Sequence, residues 1–428
     1  MNFALLPPRH QLVEILTRIY QQGLTTVSGG NLSIREPNGD IWITPAGLDK
    51  GTLTPEDIIC VHSDGSITGR HNPSSELPFH QLIYQARPDM TALVHAHPSA
   101  LVAFSIVRKV PNTLINPQSR AICGAVGYAP YAVPGTAQLG ENIAAAFAEG
   151  YLSVLLENHG IVTGGDSLLA AFQRLETLEF CARINISASA LGGFLTLTDD
   201  QVALFNHQDN LLPELAPQAH TSRELELRLQ ICRFVQRAYE RHLMISTGGT
   251  VSARIQATTF LMTPYGFDRQ YITPEDVVLI QDLQRETGKI PSRAVRLHHE
   301  IYRQHPEIHA IITAQPPHAT TYSIVQHQFD TRTIPESYIL LREMPVTPYG
   351  IQYQHPEELA AQVSPRVPVI LMQNDAVLTT GKTLLEAFDR VEVAEFSAQA
   401  LLNTLSIGKL VPIDDAEIEN LKRRFKLP

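Results

Sequence analysis

The sequence predicts an α/β protein made of two tandem domains, each a central β-sheet flanked by helices. Three observations predict it: a length too great for one ordinary core, an internal repeat of long period, and alternating helical and strand patterns inside each repeat. Dividing 428 residues by a usual domain of roughly 150 to 200 residues gives two or three domains, and the repeat selects two. Hydrophobic residues at 44 % and charged residues at 18 % make a globular balance, so both halves are expected to fold.

The repeat is read directly from the chain. RHQLVEILTRIYQQGLTTVSGGNLSIR from Arg9 corresponds to RLQICRFVQRAYERHLMISTGGTVSAR from Arg228. Thr44-Pro45 and Thr54-Pro55-Glu56-Asp57 return as Thr263-Pro264 and Thr273-Pro274-Glu275-Asp276. ALVHAHPSALVAFSIV from Ala92 returns as AIITAQPPHATTYSIV from Ala310, and LLENHGIVTGGDSLLAAF from Leu155 as LMQNDAVLTTGKTLLEAF from Leu371.

Within the first copy the elements follow in order. An amphipathic helix opens it, and NLSIREPNGDIWIT follows, where Asn38-Gly39 between alternating strands signals a hairpin turn. Ser75 is placed as the N-cap of a helix through LPFHQLIYQAR. The apolar strands ALVHA and SVLLE come next, then a last helix from Ser167 through Arg183. The polar, Pro-containing stretch from Asn206 to Glu224 has no apolar periodicity and is expected to be a linker. The boundary is placed near residue 215, giving domains 1–214 and 215–428.

Composition narrows the function. The formal charge of -10, with Lys and Arg scattered, excludes a general nucleic-acid or membrane-surface binder, so an anionic ligand would need a local pocket. No apolar run approaches the roughly 20 residues of a bilayer span, and the N-terminus lacks a basic segment before an apolar core; the expected location is the cytoplasm. The four cysteines, Cys60, Cys123, Cys181 and Cys232, lie far apart and read as small core residues.

The chemistry concentrates in the first copy. His95 and His97 end an apolar strand, where residues i and i+2 face the same way, so both imidazoles can converge on one ion. His-x-His alone is a weak signal. Glu157-Asn158-His159-Gly160 ends a second apolar run and adds a third histidine, and Glu76 is the candidate carboxylate. Three histidines with one carboxylate suit zinc or a similar divalent ion with an open position. The helix N-terminus at Ser74-Ser75, the turn Ser28-Gly29-Gly30-Asn31 and the loop Thr44-Pro45-Ala46-Gly47 could bring backbone amides and hydroxyls to one anion.

The ordered series SGGN, TPAG, PSSE, HAH and NHG resembles the class II aldolase/adducin family, over residues 9 to 200 and, with altered motifs, 228 to 410. The resemblance implies a metal-dependent aldolase, a lyase of carbohydrate metabolism, cleaving a phosphorylated ketose through a zinc-stabilised enediolate. It implies that His95, His97 and His159 bind Zn2+, that Glu76 is an acid/base also able to touch the metal, and that Gly30, Asn31, Ala46, Gly47, Ser74 and Ser75 surround the substrate phosphate. Two departures stand out. Ala46 replaces the Thr or Ser often found there, and Ile115 stands where related aldolases use a Tyr. Tyr338, three residues after Pro335 in the second copy, is the substitute proton donor considered.

Read through the repeat, the second copy has lost this chemistry: Glu76 becomes Ala294, His95 Thr313, His97 Gln315, His159 Asp375, Ser75 Arg293 and Asn31 Thr250. It is expected to be a catalytically inert pseudo-enzyme domain. Since family members form ring-like tetramers, the resemblance further implies a homo-oligomer, with two chains giving a pseudo-tetramer of domains. Epimerase, decarboxylase or dehydratase chemistry on the same site is one alternative, and a non-catalytic adducin-like scaffold is another.

Overall fold

The computed structural model describes residues 3–206, 210–216 and 219–428. Contacts group the chain into two compact units, Met1–Thr113 with Ser119–Arg183, and Leu114–Gln118 with Ile184–Pro428.

In the first unit the strands are β1 (Asn31–Arg35), β2 (Ile41–Ile43), β3 (Ile59–Val61), β4 (Ile67–Thr68), β5 (Ala92–Ala96), β6 (Gly127–Ala129), β7 (Ser153–Leu156) and β8 (Ile161–Gly165). They form one sheet in the order β4-β3-β2-β1-β5-β8-β7-β6. Its pairs are antiparallel except β6 with β7. The second unit contains β9 (Glu214–Leu215), β10 (Thr250–Gln256), β11 (Thr259–Met262), β12 (Val278–Gln281), β13 (Gln284–Glu286), β14 (Ala310–Ala314), β15 (Val346–Thr347), β16 (Val369–Met372) and β17 (Ala376–Gly381). Their order, β15-β16-β17-β14-β10-β11-β12-β13-β9, repeats the first sheet strand for strand and adds β9 at one edge. The sequence repeat is therefore a repeat of topology, and the α/β expectation holds.

Local sequence explains the elements that matter to the site. The helix Pro8–Gln21 starts with proline at its first turn, where the missing N–H costs nothing. It buries Leu12, Ile15, Leu16 and Ile19, the spacing of a single helical face. The hairpin from β1 to β2 turns through Gly39 at φ +92, a conformation that glycine adopts without a Cβ clash. Strand β5 is buried along its whole length. It runs between β1 and β8, so its end is held from both sides. A core of Ile43, Ile59, Phe79, Ile83, Leu93, Val154 and Val162 lies beneath it. Full burial of each such side chain contributes about 1.5–3 kcal/mol.

Two local expectations are revised. The helix after Pro73 spans Leu77–Ala86 with Glu76, not Ser75, at the N-cap position, and no side-chain cap bond forms. The Ser74 hydroxyl accepts the Glu76 N–H at 3.3 Å, and the Glu76 carboxylate turns to Asn31 instead. The expected linker is also more structured than its composition suggests. Leu212 joins a core cluster of the second unit, and β9 pairs in parallel with β13. Thr221 caps the helix Ser222–Glu240 through the Glu224 N–H. Residues 207–209 and 217–218 of that stretch lie outside the described residues. The contact grouping places the chain from Ile184 onward in the second unit, and the domain boundary at residue 215 stands as a proposal.

Candidate active site

Four segments of the first unit converge at one end of β5. The β1/β5 register sets Asn31 opposite His95. An isolated bridge joins Pro45 to Pro73, with Ser74 N–H donating to Thr44 O at 3.2 Å and Ala46 N–H to Asn72 O at 3.1 Å. The SGGN, TPAG, PSSE and HAH segments are thus adjacent, as their functional reading requires.

His95, His97 and His159 form a cluster whose ligand atoms all lie within 4.8 Å of one another. The His95 and His97 Nε2 atoms are 3.0 Å apart. Glu76 lies beside them, its Oε2 3.4 Å from His95 Nε2 and its Oε1 3.7 Å from His159 Nε2. His95 Nδ1 lies 2.9 Å from the Ile161 carbonyl, which can only accept, so the proton sits on Nδ1 and Nε2 presents a bare lone pair. Burial, reinforced by the neighbouring His159, pushes His95 down to about 3, and burial with the His95 and His159 imidazoles does the same to His97. Burial also lowers His159, against the pull of Glu76. All three are held neutral, the form a metal ligand must have.

A divalent cation fits this set. A bare imidazole nitrogen faces a second ring nitrogen at 3.0 Å, and Glu76 Oε1 is buried without a hydrogen-bond partner. Three neutral imidazoles with ring nitrogens this close and an orphaned carboxylate oxygen beside them form a donor set that suits a divalent cation. His97 is seated between two glycines. A Cβ on Gly29 would stand 2.8 Å from its Nδ1, and one on Gly160 2.5 Å from its Cδ2 and 2.6 Å from the Ala96 carbonyl. Gly160 is required here by space rather than by backbone conformation.

The expected anion-binding residues divide on inspection. Gly30 and Gly47 are left-handed, at φ +73 and +69. The Ala46 amide, which the sequence offered to the anion, is committed to Asn72 O, because it serves the bridge that holds the loop in place. Ser75 is exposed and Ser74 is buried. Asn31 is largely committed too: Nδ2 donates to Glu76 Oε2 at 2.7 Å, while Oδ1 lies 2.5 Å from His80 Nε2. Sequence reasoning missed His80. It is fully buried, with Nδ1 2.7 Å from Ser33 Oγ, which in turn lies 2.7 Å from the Tyr84 hydroxyl. The signal was present in the repeat: His80 and Tyr84 return as His298 and Tyr302 while every residue of the metal set changes.

The second unit shows what replaced the site. Thr250 lies opposite Thr313 in the same register as Asn31 and His95. Thr313 Oγ1 is 3.1 Å from His298 Nε2, and Thr250 Oγ1 bonds Ser292. Asp375 is no ligand: its Oδ2 accepts from Gln352 Nε2 at 2.8 Å and from the Tyr353 hydroxyl at 3.0 Å. Burial raises its pKa against those bonds. Arg269 donates to the carbonyls of Gly248, Pro264, Thr247 and Gly249, which locks the loops corresponding to SGGN and TPAG. Among the described residues the metal-capable groupings are the His95 cluster, Asp40 with Cys60 and His62, and the exposed His355, Glu357 and Glu358; none involves Thr313, Gln315 or Asp375. In the second grouping the His62 nitrogens lie within hydrogen-bond reach of Asp40 and Thr68. Tyr338 lies on the helix Pro335–Leu341, with the Arg342 guanidinium 5.3 Å from its ring centroid. Ile115 is fully buried and groups with the second unit, its carbonyl accepting from Asn374 Nδ2 at 2.8 Å.

The chain thus contains two copies of one α/β fold, with a histidine and carboxylate cluster in the first and other residues at the matching positions of the second. The family model described as "Class II Aldolase and Adducin N-terminal domain" matches residues 10–186 and again 229–402. The chain belongs to that family, in tandem. It is 36 % identical over 175 residues to an L-fuculose phosphate aldolase of Methanococcus maripaludis, covering 41 % of this chain and 94 % of that one. It is 37 % identical over 203 residues to a 5-deoxy-D-ribulose 1-phosphate aldolase of Bacillus thuringiensis, covering 45 % and 91 %. Against a 3-oxo-tetronate 4-phosphate decarboxylase of Haemophilus influenzae the identity is 32 % over 183 residues, covering 42 % and 87 %. A solved structure titled L-fuculose 1-phosphate aldolase matches with a TM-score of 0.43 and 34 % identity, over 46 % of this chain and 93 % of that one.

Proposed function

We propose that the chain is a divalent-metal-dependent lyase of the aldolase type, acting on a phosphorylated ketose, with its chemistry confined to the first copy. The observation that carries this is the Glu76 carboxylate, set against His95 and His159 with one oxygen held by Asn31 and the other bare. His95, His97 and His159 would hold Zn2+ or a similar ion, with Glu76 able to join them. When bound, such an ion polarises carbonyl and hydroxyl oxygens of the substrate and offsets the negative charge left by C–C cleavage.

The chain's own groups do the rest. Asn31 restrains Glu76 Oε2, so Oε1 is the oxygen that moves a proton on or off the carbon beside the carbonyl. Left-handed Gly30 and Gly47, together with the exposed Ser75 hydroxyl and the buried Ser74 beside it, receive the phosphate. Asn31 and Ala46 mainly shape that cradle, through the bonds they already make. For the hydroxyl that becomes the aldehyde, Tyr338 is proposed as the phenol supplied by the second copy.

The decarboxylase reading is favoured by one observation, the buried Ile115 in place of a phenol. Loss of carbon dioxide leaves no aldehyde oxygen to be served, so that reaction does not need the missing group. The test is a panel of ketose 1-phosphates, ketose 5-phosphates and a 3-oxo acid 4-phosphate, each with and without chelator. Chelator-sensitive cleavage of a ketose phosphate to an aldehyde supports the lyase reading. Turnover of the 3-oxo acid alone replaces it, and stoichiometric metal absent from the purified protein leaves only a scaffold role.

A further inference from the structure

We infer that His80 is a positioning residue for the reaction: its Nε2–H fixes the Asn31 carboxamide in the one orientation that presents Nδ2 to Glu76 and leaves Glu76 Oε1 free. This rests on the proposed role of Glu76 and adds the residue that sets it.

The argument is one of donors and acceptors. A carboxylate only accepts, so the atom of Asn31 facing Glu76 Oε2 at 2.7 Å is Nδ2, and its Oδ1 must face His80. The 2.5 Å contact from His80 Nε2 to Asn31 Oδ1 then puts the imidazole proton on Nε2. Nδ1 is left bare and accepts from the Ser33 hydroxyl at 2.7 Å, and the Tyr84 hydroxyl lies 2.7 Å from Ser33 Oγ and 3.2 Å from the Ser33 carbonyl. Every donor from Ser33 through His80 to Asn31 points toward Glu76. His80 lies at 0 % exposure, so no water substitutes for a lost member. Turning Asn31 over would set its carbonyl against the carboxylate, and the His80 N–H is what prevents it.

The second copy serves as a control built into the same chain. Tyr302, Ser252 and His298 keep the same arrangement at 2.8 Å and 2.8 Å, and His298 is also at 0 % exposure. There the relay ends on Thr313, with Ala294 in place of the carboxylate. The Tyr–Ser–His segment is therefore a packing element common to both copies, and only in the first does its final donor reach a proton-moving group.

Matched substitutions separate the two contributions. His80→Leu and His298→Leu should lower the melting temperature of the full-length protein by similar amounts. Only His80→Leu should lower kcat, by about 10- to 100-fold, with KM and metal content unchanged. His80→Gln restores an N–H toward Asn31 and should recover most of that loss. Equal kcat in the two Leu variants, or no recovery with Gln, overturns the inference. An arm independent of turnover uses nitrogen-15 NMR of the metal-free wild-type chain. The neutral Nε2–H tautomer of His80 is expected, and an Nδ1–H tautomer overturns the inference whatever substrate is found. If the wild type is inactive on the whole panel, the lyase reading fails while the tautomer still decides the relay.

Discussion

Gly160→Ala tests the proposed metal centre through a residue outside the proposed ligand set. A methyl group at this position would lie 2.5 Å from His97 Cδ2 and 2.6 Å from the Ala96 carbonyl, against the 3.4 Å at which ordinary contact begins. The shortfall is about 0.9 Å on the imidazole side. The carbonyl cannot yield easily, because Ala96 is paired with Ile161 across the β5/β8 ladder. The ring must therefore move, and Gly29 blocks its other side. Crowding of this kind costs about 1–3 kcal/mol of stability. Moving one ligand by most of an ångström should weaken metal binding about 10- to 100-fold, or about 1.4–2.8 kcal/mol. Competition of the purified full-length protein against a chromophoric chelator measures this directly. Gly65→Ala is the control: at φ +86, with nothing within 4 Å of the added methyl, it strains the backbone without touching the site. If Gly160→Ala binds metal as tightly as the control, the packing argument for His97 is wrong.

Further outcomes follow from the same geometry. Glu76→Gln should stay folded and hold metal through the three histidines, yet lose about 10²–10⁴-fold in kcat; wild-type turnover would return Glu76 to the role of a helix-terminal residue. Elemental analysis should find about one ion per chain, as expected for one ligand set. Replacing His97 by Ala should abolish that ion, and a second ion at Thr313 and Asp375 would contradict the inert reading of the second copy. Tyr338→Phe should lower kcat without changing metal content; unchanged kcat leaves Tyr338 a structural residue that contacts Arg342 and Lys422. Part of the acid sensitivity should be traceable to His298, whose pKa burial depresses from 6.5 to about 3, as burial also does for His80, His95 and His97. Between those values the unfolded chain binds a proton that the folded chain does not, so stability falls as pH drops from 6.5 toward 3. The slope should approach about 1.4 kcal/mol per pH unit for this one fully buried residue, and His298→Leu should flatten the denaturation profile by about one proton.

The sequence alone carried the duplication, the strands that bear the histidines and the residue types that gather in the histidine cluster. Each is written locally: a repeat survives as matching letters, β5 as an apolar run, and His95 with His97 as an i, i+2 pair on one face. Replacement of the three histidines and Glu76 in the second copy was equally legible, because the two copies align on each other. What the sequence misjudged were features set by partners distant along the chain. Ser75 has the composition of a cap, but the bridge from Pro45 to Pro73 turns the segment so that Glu76 takes that position. The Ala46 amide looks available for an anion until Asn72 is placed opposite it. A polar stretch near residue 215 gains a strand only because the edge of β13 is there to pair with it. Only the tertiary structure joined Tyr84, Ser33, His80 and Asn31 to Glu76. Hydrogen bonds between residues dozens of positions apart leave no periodicity in the sequence, and the direction of a proton relay depends on which atoms face each other across a buried gap.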